Sequence, residues 1–271
     1  MNSSNNNSDF NDLLKNLKDL SSTFVVEAYI PSLGSTLTFK ELNAKQQKFL
    51  LETLADDSLY KTRFAKQFHN ILKENITSNF DVSSLSVFDK IFIGLYLRSK
   101  ISDKYNVVFN ENPSYTEEIT LGNVLDNLKN YKQPKPEHIK IVKNNIDITI
   151  ELSIPTILID TKYEEELYNN YKKIENIKDA NEIGGILSNA FIGEISKYIS
   201  KIQFADQEMN FNDLSVQQRI RLTEQLTADI IQNILTKITE WKETINSFIT
   251  VESTDKKYSK VLSLDNLLFL S

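Results

Sequence analysis

The chain has 271 residues, and its 40% hydrophobic, 10% aromatic and 25% charged residues are typical of a globular protein of about two domains. Its net charge of −6 gives no support to a general nucleic-acid binder, which needs a concentrated basic face. With no cysteine, two histidines and six glycines, the sequence excludes disulfides and thiolate metal sites and leaves little material for histidine metal sites or phosphate-binding loops.

The beginning of the chain carries no targeting signal. Residues 1–9 contain neither the basic nor the apolar segment of a secretory signal peptide. No run of about 18 apolar residues predicts a membrane-spanning helix, so we expect a protein that is made and kept in a cytoplasm. Residues 1–22 are predicted to be a flexible tail or a short docking helix, because apolar residues between positions 10 and 20 follow helical spacing.

Residues 23–110 predict an N-terminal α+β domain. β-branched and aromatic residues at 24–30 and 36–39, on either side of a turn, predict a hairpin, and Asn43 and Gln46 have the spacing of a capping box at a helix start. Apolar residues at steps of three and four predict three helices, the second from about Ser58 and the third from an N-cap at Ser86. Their apolar faces are Leu50, Leu51 and Leu54; Phe64, Phe68, Ile71 and Leu72; and Phe88, Ile91, Phe92 and Leu95. Residues 106–109 are predicted to be a strand.

Residues 111–180 predict a middle section built from a β-hairpin and a helix. A short helix is expected at 121–131, and alternating apolar and polar residues at 146–154 pair with 139–142 around an Asn-Asn turn. The following residues, 160–174, predict a charged helix. Its buried side is expected to contain Tyr163, Leu167, Tyr171 and Ile174.

Residues 181–271 predict a helical C-terminal domain. Residues 181–201 and 215–249 both follow helical spacing, and the second would span about 50 Å as one straight helix. Its apolar stripe is expected to pack into the protein's own core or a subunit interface; it contains Leu222, Leu226, Ile230, Ile234, Ile238, Trp241, Ile245 and Phe248. Residues 261–270 are predicted to add a strand or to dock on a partner. The fold class is therefore α+β, with an N-terminal hairpin plus helices, a middle β-hairpin and a largely helical C-terminal part.

Two segments of the chain, 39–54 and 211–226, align without gaps. Phe39 and Phe211 match, and the predicted capping box Asn43-Gln46 has its counterpart in Ser215-Gln218. The shared unit is a hairpin strand, an aromatic anchor, a polar cap and an amphipathic helix. Duplication and convergence on a good strand-to-helix junction explain the match equally well, and in both cases the matched residues are structural.

The sequence predicts no catalytic, cofactor-binding or metal-binding residues. No phosphate-binding glycine motif, nucleophile elbow or histidine-based metal motif occurs. His69 and His138 have no second ligand nearby, Gly184-Gly185 favours a packing or hinge role, and residues 164–166 are typical of a solvated helix face. Residues 168–173 form only a weak basic-aromatic patch, offset by acidic neighbours. These patterns favour an interaction protein over an enzyme.

Two blocks of the N-terminal half resemble a known family. The first is Ile-Pro-Ser-Leu-Gly at 30–34, followed by Leu-Thr-Phe-Lys-Glu-Leu at 37–42 and Lys-Gln-Gln-Lys at 45–48. The second begins with Phe88-Asp89 and continues as an apolar helix that ends in Leu97-Arg98-Ser99-Lys100. Together they resemble the baseplate hub proteins of T-even-like contractile-tailed bacteriophages, most clearly over residues 24–110 and more loosely over 140–250.

The resemblance implies a structural or assembly subunit of the tail baseplate hub, present in the virion and assembled in the host cytoplasm. Its partners would be other baseplate hub, tail-tube or tape-measure proteins, with no nucleic acid, membrane, cofactor or small-molecule substrate. One alternative is a tail-assembly chaperone that binds the tape-measure protein and is absent from the virion. Another is a host-directed regulatory protein with no virion role. Presence in purified particles separates the first hypothesis from the other two.

Overall fold

A computed structural model describes residues 13–17, 23–55, 62–111, 114–143, 146–174 and 179–264. The strands are β1 (Val25–Ile30), β2 (Ser35–Lys40), β3 (Lys104–Glu111), β4 (Ser114–Thr120), β5 (Glu137–Lys143), β6 (Ile146–Leu152), β7 (Ile199–Phe204), β8 (Gln207–Asn210), β9 (Thr250–Glu252) and β10 (Ser259–Val261). The helices are α1 (Ala44–Ala55), α2 (Thr62–Asn75), α3 (Asp89–Ile101), α4 (Leu121–Leu128), α5 (Ile157–Ile174), α6 (Ala180–Ser196), α7 (Val216–Thr223) and α8 (Ala228–Ile249). This mixture of helices and small sheets confirms the predicted α+β class.

All strand pairs among the described residues are antiparallel. Strands β5, β6, β7 and β8 form one four-stranded sheet in that order, and the other strands form the two-stranded ribbons β1-β2, β3-β4 and β9-β10. The predicted middle hairpin is therefore β5-β6, and β7 adds to its β6 side. Strands from both sides of the predicted boundary at residue 180 thus share one sheet, while the division into domains itself stays a prediction.

A smaller core forms around the N-terminal hairpin. Strand β1 alternates buried and exposed side chains, as a strand with one wet face must, and helices α1, α2 and α3 cover the buried face. All four residues predicted for the apolar side of α2 are buried. The prediction for α1 holds for Leu50, which is fully buried, and is wrong for Leu51, which is 48% exposed because it faces away from the hairpin. The side chain of Leu54 and the predicted helix start at Ser58 lie outside the described residues.

A larger core forms where α8 packs over α4, α6 and the four-stranded sheet. The predicted packing seam is confirmed along α8, where Trp241 is only 3% exposed and every third or fourth residue is buried. A single helix over 215–249 is wrong. Helix α7 ends at Thr223, and α8 starts after Thr227, whose extended backbone serves as its N-cap, with Asp229 in the first turn next to the positive end of the helix dipole.

Several predicted boundaries shift. The helix predicted at 181–201 ends at Ser196, because Ile199 instead pairs with Leu152 in the sheet and is fully buried there. The C-terminal section consequently contains β7–β10 as well as helices. Helix α3 starts at Asp89, three residues after Ser86, although Ser86 still caps the turn before it: Asp89 N donates to Ser86 Oγ at 3.2 Å. Strand β4, the partner of β3, has no counterpart among the predicted elements.

Both ends of the chain are described only in part. Residues 13–17 are helical, as predicted for the short docking helix, and the remaining residues of 1–22 lie outside the described part. At the other end Leu262 is buried in the larger core, and Leu264 packs against Gly94 of α3. Of the segment 261–270, predicted to add a strand or to dock on a partner, Val261 is the last residue of β10 and Leu262 already belongs to the core, and residues 265–270 lie outside the described part.

Candidate interaction surface

The residues that could carry chemistry are held by the fold in structural roles. His69 of α2 is buried between two hydroxyls, with Nε2 3.2 Å from Ser83 Oγ and Nδ1 3.0 Å from Thr161 Oγ1. Burial, together with the nearby ammonium groups of Lys73 and Lys90, lowers the pKa of His69 to about 4. This histidine is therefore neutral near pH 7 and acts as a hydrogen-bonded core residue.

The other residues singled out from the sequence do not come together. His138 is exposed on β5, and Gly184 and Gly185 lie on the open side of α6. Residues 164–166 are only half-buried rather than fully solvated: burial, followed by the charge of Asp160, raises the pKa of Glu164 to about 7. In the weak basic-aromatic patch, Lys172 Nζ lies 4.5 Å from the centre of the Tyr168 ring.

A buried cluster of charges that no local sequence pattern predicts links four helical segments. Asp160 of α5 accepts from Lys90 Nζ of α3 at 2.5 Å and from Lys197 Nζ, just after α6, at 3.0 Å. Lys197 also contacts Glu194 at 2.6 Å, and Glu194 contacts Lys242 of α8 at 3.0 Å. The cluster lies where the two cores meet, since α3 supplies side chains to both of them.

Opposite charges are paired throughout this cluster, in which two carboxylates face three ammonium groups. Burial alone would raise the pKa of Asp160, but the ammonium groups of Lys197 and Lys90 outweigh it and hold that pKa well below its usual range. Burial would lower the pKa of Lys197, but the carboxylates of Asp160 and Glu194 raise it well above its usual value. Each ammonium group already has a carboxylate partner, so the arrangement fixes how the two cores meet.

Within the described residues we find no group of three or more histidines and carboxylates placed to hold a metal ion. None of the described helices combines the length and the apolar character that crossing a membrane requires. The described residues do include exposed apolar side chains. A contiguous patch of such side chains usually marks an interaction site.

One of these surfaces forms a groove of about 460 Å³ at the open end of the four-stranded sheet. We call it the sheet-end groove; its apolar walls are Ile148, Ile202, Phe204, Met209, Phe211, Leu222, Leu226 and Ile230. Cross-strand pairing places Ile148 beside Phe204 and Ile202 beside Met209 on one face of the sheet. Phe204 and Met209 are each 46% exposed, and Leu222 of α7 is 38% exposed.

The groove stays open because the covered face of the sheet does not extend as far as the β7-β8 turn. Near the middle of the sheet Ile150 and Leu152 are fully buried in the larger core, while the same face becomes progressively exposed toward the β7-β8 turn. The turn itself is tight, since Ala205 takes a positive φ of 51°. The helical spacing predicts Leu222 and Leu226 in a buried stripe, but the break between α7 and α8 leaves them facing this groove instead.

The chain is thus an α+β protein whose Asp160 cluster is paired internally and whose exposed apolar surfaces suit protein contacts. Residues 21–269 match the family model described as T4 bacteriophage base plate protein, so the chain belongs to that family and is a phage baseplate protein. The family confirms the resemblance to a baseplate protein of T4-like phages and implies interactions with other phage tail proteins. No curated protein and no solved structure matches the chain.

Proposed function

We propose that this baseplate protein is a structural or assembly subunit of the baseplate hub, stays in the virion tail, and acts only by binding other tail proteins. Its partners would be hub, tail-tube or tape-measure proteins, and it would be assembled in the host cytoplasm. It would have no catalytic activity, cofactor or small-molecule substrate.

The observation that carries the proposal is the sheet-end groove. Phe204, Met209 and Leu222 expose a large share of their side chains at one continuous site, which costs solubility in a protein that works alone. Binding a partner there removes this apolar area from water at about 25 cal/mol per Å² before the costs of association. A small subunit that is held in a larger particle has a direct use for such a surface.

The test is an infection that lacks the gene and is complemented by variants. We expect Met209→Asp to block the assembly of complete baseplates, because a carboxylate in the groove cannot be buried without cost. Leu51→Asp is the matched control, since Leu51 is 48% exposed on α1, away from the groove. Complemented particles are counted by electron microscopy, and both variants are checked for folding by circular dichroism.

The same infection also separates the alternatives. Co-purification of the chain with tail components and its retention in finished particles support the proposal. Co-purification with tail intermediates together with absence from finished particles identifies an assembly chaperone instead. Failure to co-purify with any tail component at any stage contradicts the hub assignment.

A further inference from the structure

The four-stranded sheet ends on one side in β5, which pairs with β6 along only one of its two edges. Strand β5 has seven residues, and its pairing with β6 runs without a register shift. The strand at the opposite side of the sheet, β8, has only four residues. In the N-terminal hairpin the edge of β2 is engaged by Thr77, whose N–H donates to Thr38 O at 3.0 Å. A long and regular edge such as that of β5 is a template on which another strand can pair.

The direction of the backbone in β6 shows which residues of β5 bond inward. Ala205 N donates to Asp147 O at 3.0 Å, so the backbone of Asp147 faces β7. Neighbouring residues of a strand turn their N–H and C=O groups to opposite sides. Ile148 therefore faces β5 and exchanges backbone hydrogen bonds with its register partner Ile141.

The outer edge of β5 consequently consists of the backbone groups of His138, Lys140 and Val142. Each of these residues alternates with one that bonds to β6, so its N–H and C=O point away from the sheet. Within the described residues, no hydrogen bond from the protein reaches these outward groups. A strand that pairs here would satisfy backbone groups that are otherwise left to water.

The two faces of this edge differ in chemistry. Ile139 and Ile141 are partly buried and pack against the larger core on the inner face of the sheet. His138, Lys140 and Val142 are exposed on the outer face, and Val142 is 73% exposed. An added strand would therefore place every second side chain beside the two isoleucines and the others beside Lys140.

The edge is basic although the chain as a whole is acidic. Residues 129–143 contain five lysines and one glutamate, in a chain of net charge −6. Lys132, Lys135 and Lys140 are exposed, and none of them forms an ion pair within the described residues. The one acidic residue of the segment, Glu137, already contacts Lys237 of α8 at 3.2 Å.

The carboxylates of the neighbouring strand do not pair with Lys140. Glu151 of β6 accepts from Ser200 Oγ at 2.8 Å, on the side of β7. Asp147 lies opposite Val142 in the register, whereas the residue opposite Lys140 is Thr149. Lys140 therefore presents its positive charge at the open edge.

We propose that the outer edge of β5 binds an extended, acidic segment of another tail protein as a fifth strand of the sheet. Backbone hydrogen bonds to residues 138, 140 and 142 would hold the segment, and alternate side chains would select it. Acidic residues would lie beside Lys140, and apolar residues beside Ile139 and Ile141. The inference rests on the proposed function in one respect, that the partner is a tail protein.

The charge of the edge also decides against a second copy of this chain as the added strand. In the antiparallel pairing that sets Ile139 opposite Ile141 of another copy, Lys140 lies opposite Lys140. Like charges directly opposite each other destabilise a strand pair. The same lysine that attracts an acidic strand therefore keeps copies of this chain from pairing edge to edge.

Site-specific crosslinking during infection tests the proposal on the full-length chain. A photo-crosslinking amino acid replaces Val142 in a chain that complements an infection lacking the gene, and mass spectrometry identifies the crosslinked peptide. We expect a segment of another tail protein in which acidic and apolar residues alternate. The same amino acid in place of Leu51, which is exposed on α1, should not capture this segment.

Three substitutions in the chain that carries the crosslinker test the mode of binding. Lys140→Glu reverses the charge, and Lys140→Pro removes an outward N–H without touching a bond to β6, so each should lower the crosslink yield at least about tenfold. Lys260→Glu, on the exposed strand β10, is the matched control and should leave the yield unchanged. Thermal melts check folding: Lys140→Pro should melt close to the wild type, whereas Ile141→Pro should melt clearly lower because the N–H of Ile141 faces β6.

The captured segment, made as a labelled peptide, tests the strand pairing itself. It should bind the purified chain, and N-methylation of the residues whose N–H groups face β5 should weaken binding at least about tenfold. N-methylation of the alternate residues should leave binding unchanged. Equal effects of the two modifications would contradict pairing along the edge.

Four other results would overturn the proposal. They are a crosslink from position 142 to a second copy of this chain, capture of a segment without acidic residues, no crosslink although the chain is present in tails, and equal melting of Lys140→Pro and Ile141→Pro. Capture of an alternating acidic segment from a protein that is not part of the tail would instead contradict the proposed function while leaving the strand-binding edge in place.

Discussion

Replacing Asp160 by asparagine tests the buried charge cluster. The side chain is 6% exposed and accepts from Lys90 and Lys197, whose side chains are each 7% exposed. Asparagine keeps the shape and one acceptor but removes the charge that balances two ammonium groups. Lys197 retains Glu194 at 2.6 Å, whereas Asp160 is the carboxylate that balances Lys90. Removing one partner of a buried pair costs about 3–5 kcal/mol, so we expect Asp160→Asn to lower the free energy of unfolding by that amount.

Urea denaturation at pH 7 measures this loss. Asp126→Asn is the matched control, because Asp126 contacts Lys129 at 2.6 Å but both side chains are more than half exposed. An exposed pair of this kind contributes at most about 1 kcal/mol. If the cause is the unbalanced lysine, Lys90→Met in the Asp160→Asn background should recover part of the loss.

The contribution of Asp160 to the free energy of unfolding should depend on pH. The pKa of Asp160 is lower in the folded protein than in the unfolded chain, so its contribution is present above the unfolded value of about 4 and is lost as the pH falls below it. The difference between wild type and Asp160→Asn should therefore shrink in acid. Equal losses for Asp160→Asn and Asp126→Asn at pH 7 would refute the argument that this cluster fixes the two cores.

Three further substitutions test other parts of the fold. Trp241→Ala should lower the free energy of unfolding by about 3–5 kcal/mol in urea, because the indole is only 3% exposed in the larger core. The pKa of Glu164 is raised to about 7, so folding favours its neutral form and the wild type should lose stability as the pH rises from about 4.5 to 7. Glu164→Gln should lack this decline and should be more stable than the wild type above pH 7 by about 1–2 kcal/mol. Parallel thermal melts of the two proteins across this pH range check the prediction. Ala205→Gly should raise the free energy of unfolding by up to about 1 kcal/mol, because the positive φ of 51° costs a glycine nothing, and an unchanged urea midpoint would contradict this.

Local patterns in the sequence predicted the local structure well. Both predicted capping boxes form, with Gln46 N donating to Asn43 Oδ1 at 2.9 Å and Gln218 N donating to Ser215 Oγ at 3.3 Å. The alternating residues of β6 and the periodic residues of α8 also take the positions that their spacing predicted. In each of these cases the signal lies within a few residues of the structure that it specifies.

The tertiary features could not be predicted in the same way. Asp160 lies 70 residues from Lys90 and 37 residues from Lys197, so no local pattern connects the buried cluster. The sequence placed Leu222 in a continuous apolar stripe, and only the break before α8 turns it into the wall of a groove. The sequence Thr227-Ala228-Asp229 is typical of a helix start and could have indicated the break. Because apolar residues follow helical spacing on both sides of it, the pattern as a whole favoured one continuous helix.

The central claim is that this baseplate protein works as a hub subunit in the virion tail. Mass spectrometry of purified particles tests this claim most directly. The measurement compares finished particles and isolated baseplates from a normal infection with the tail structures recovered from an infection lacking the gene. We predict peptides of this chain in finished particles and in isolated baseplates, and baseplates that fail to assemble when the gene is missing. Absence of the chain from finished particles, while tails assemble normally without it, would contradict the account.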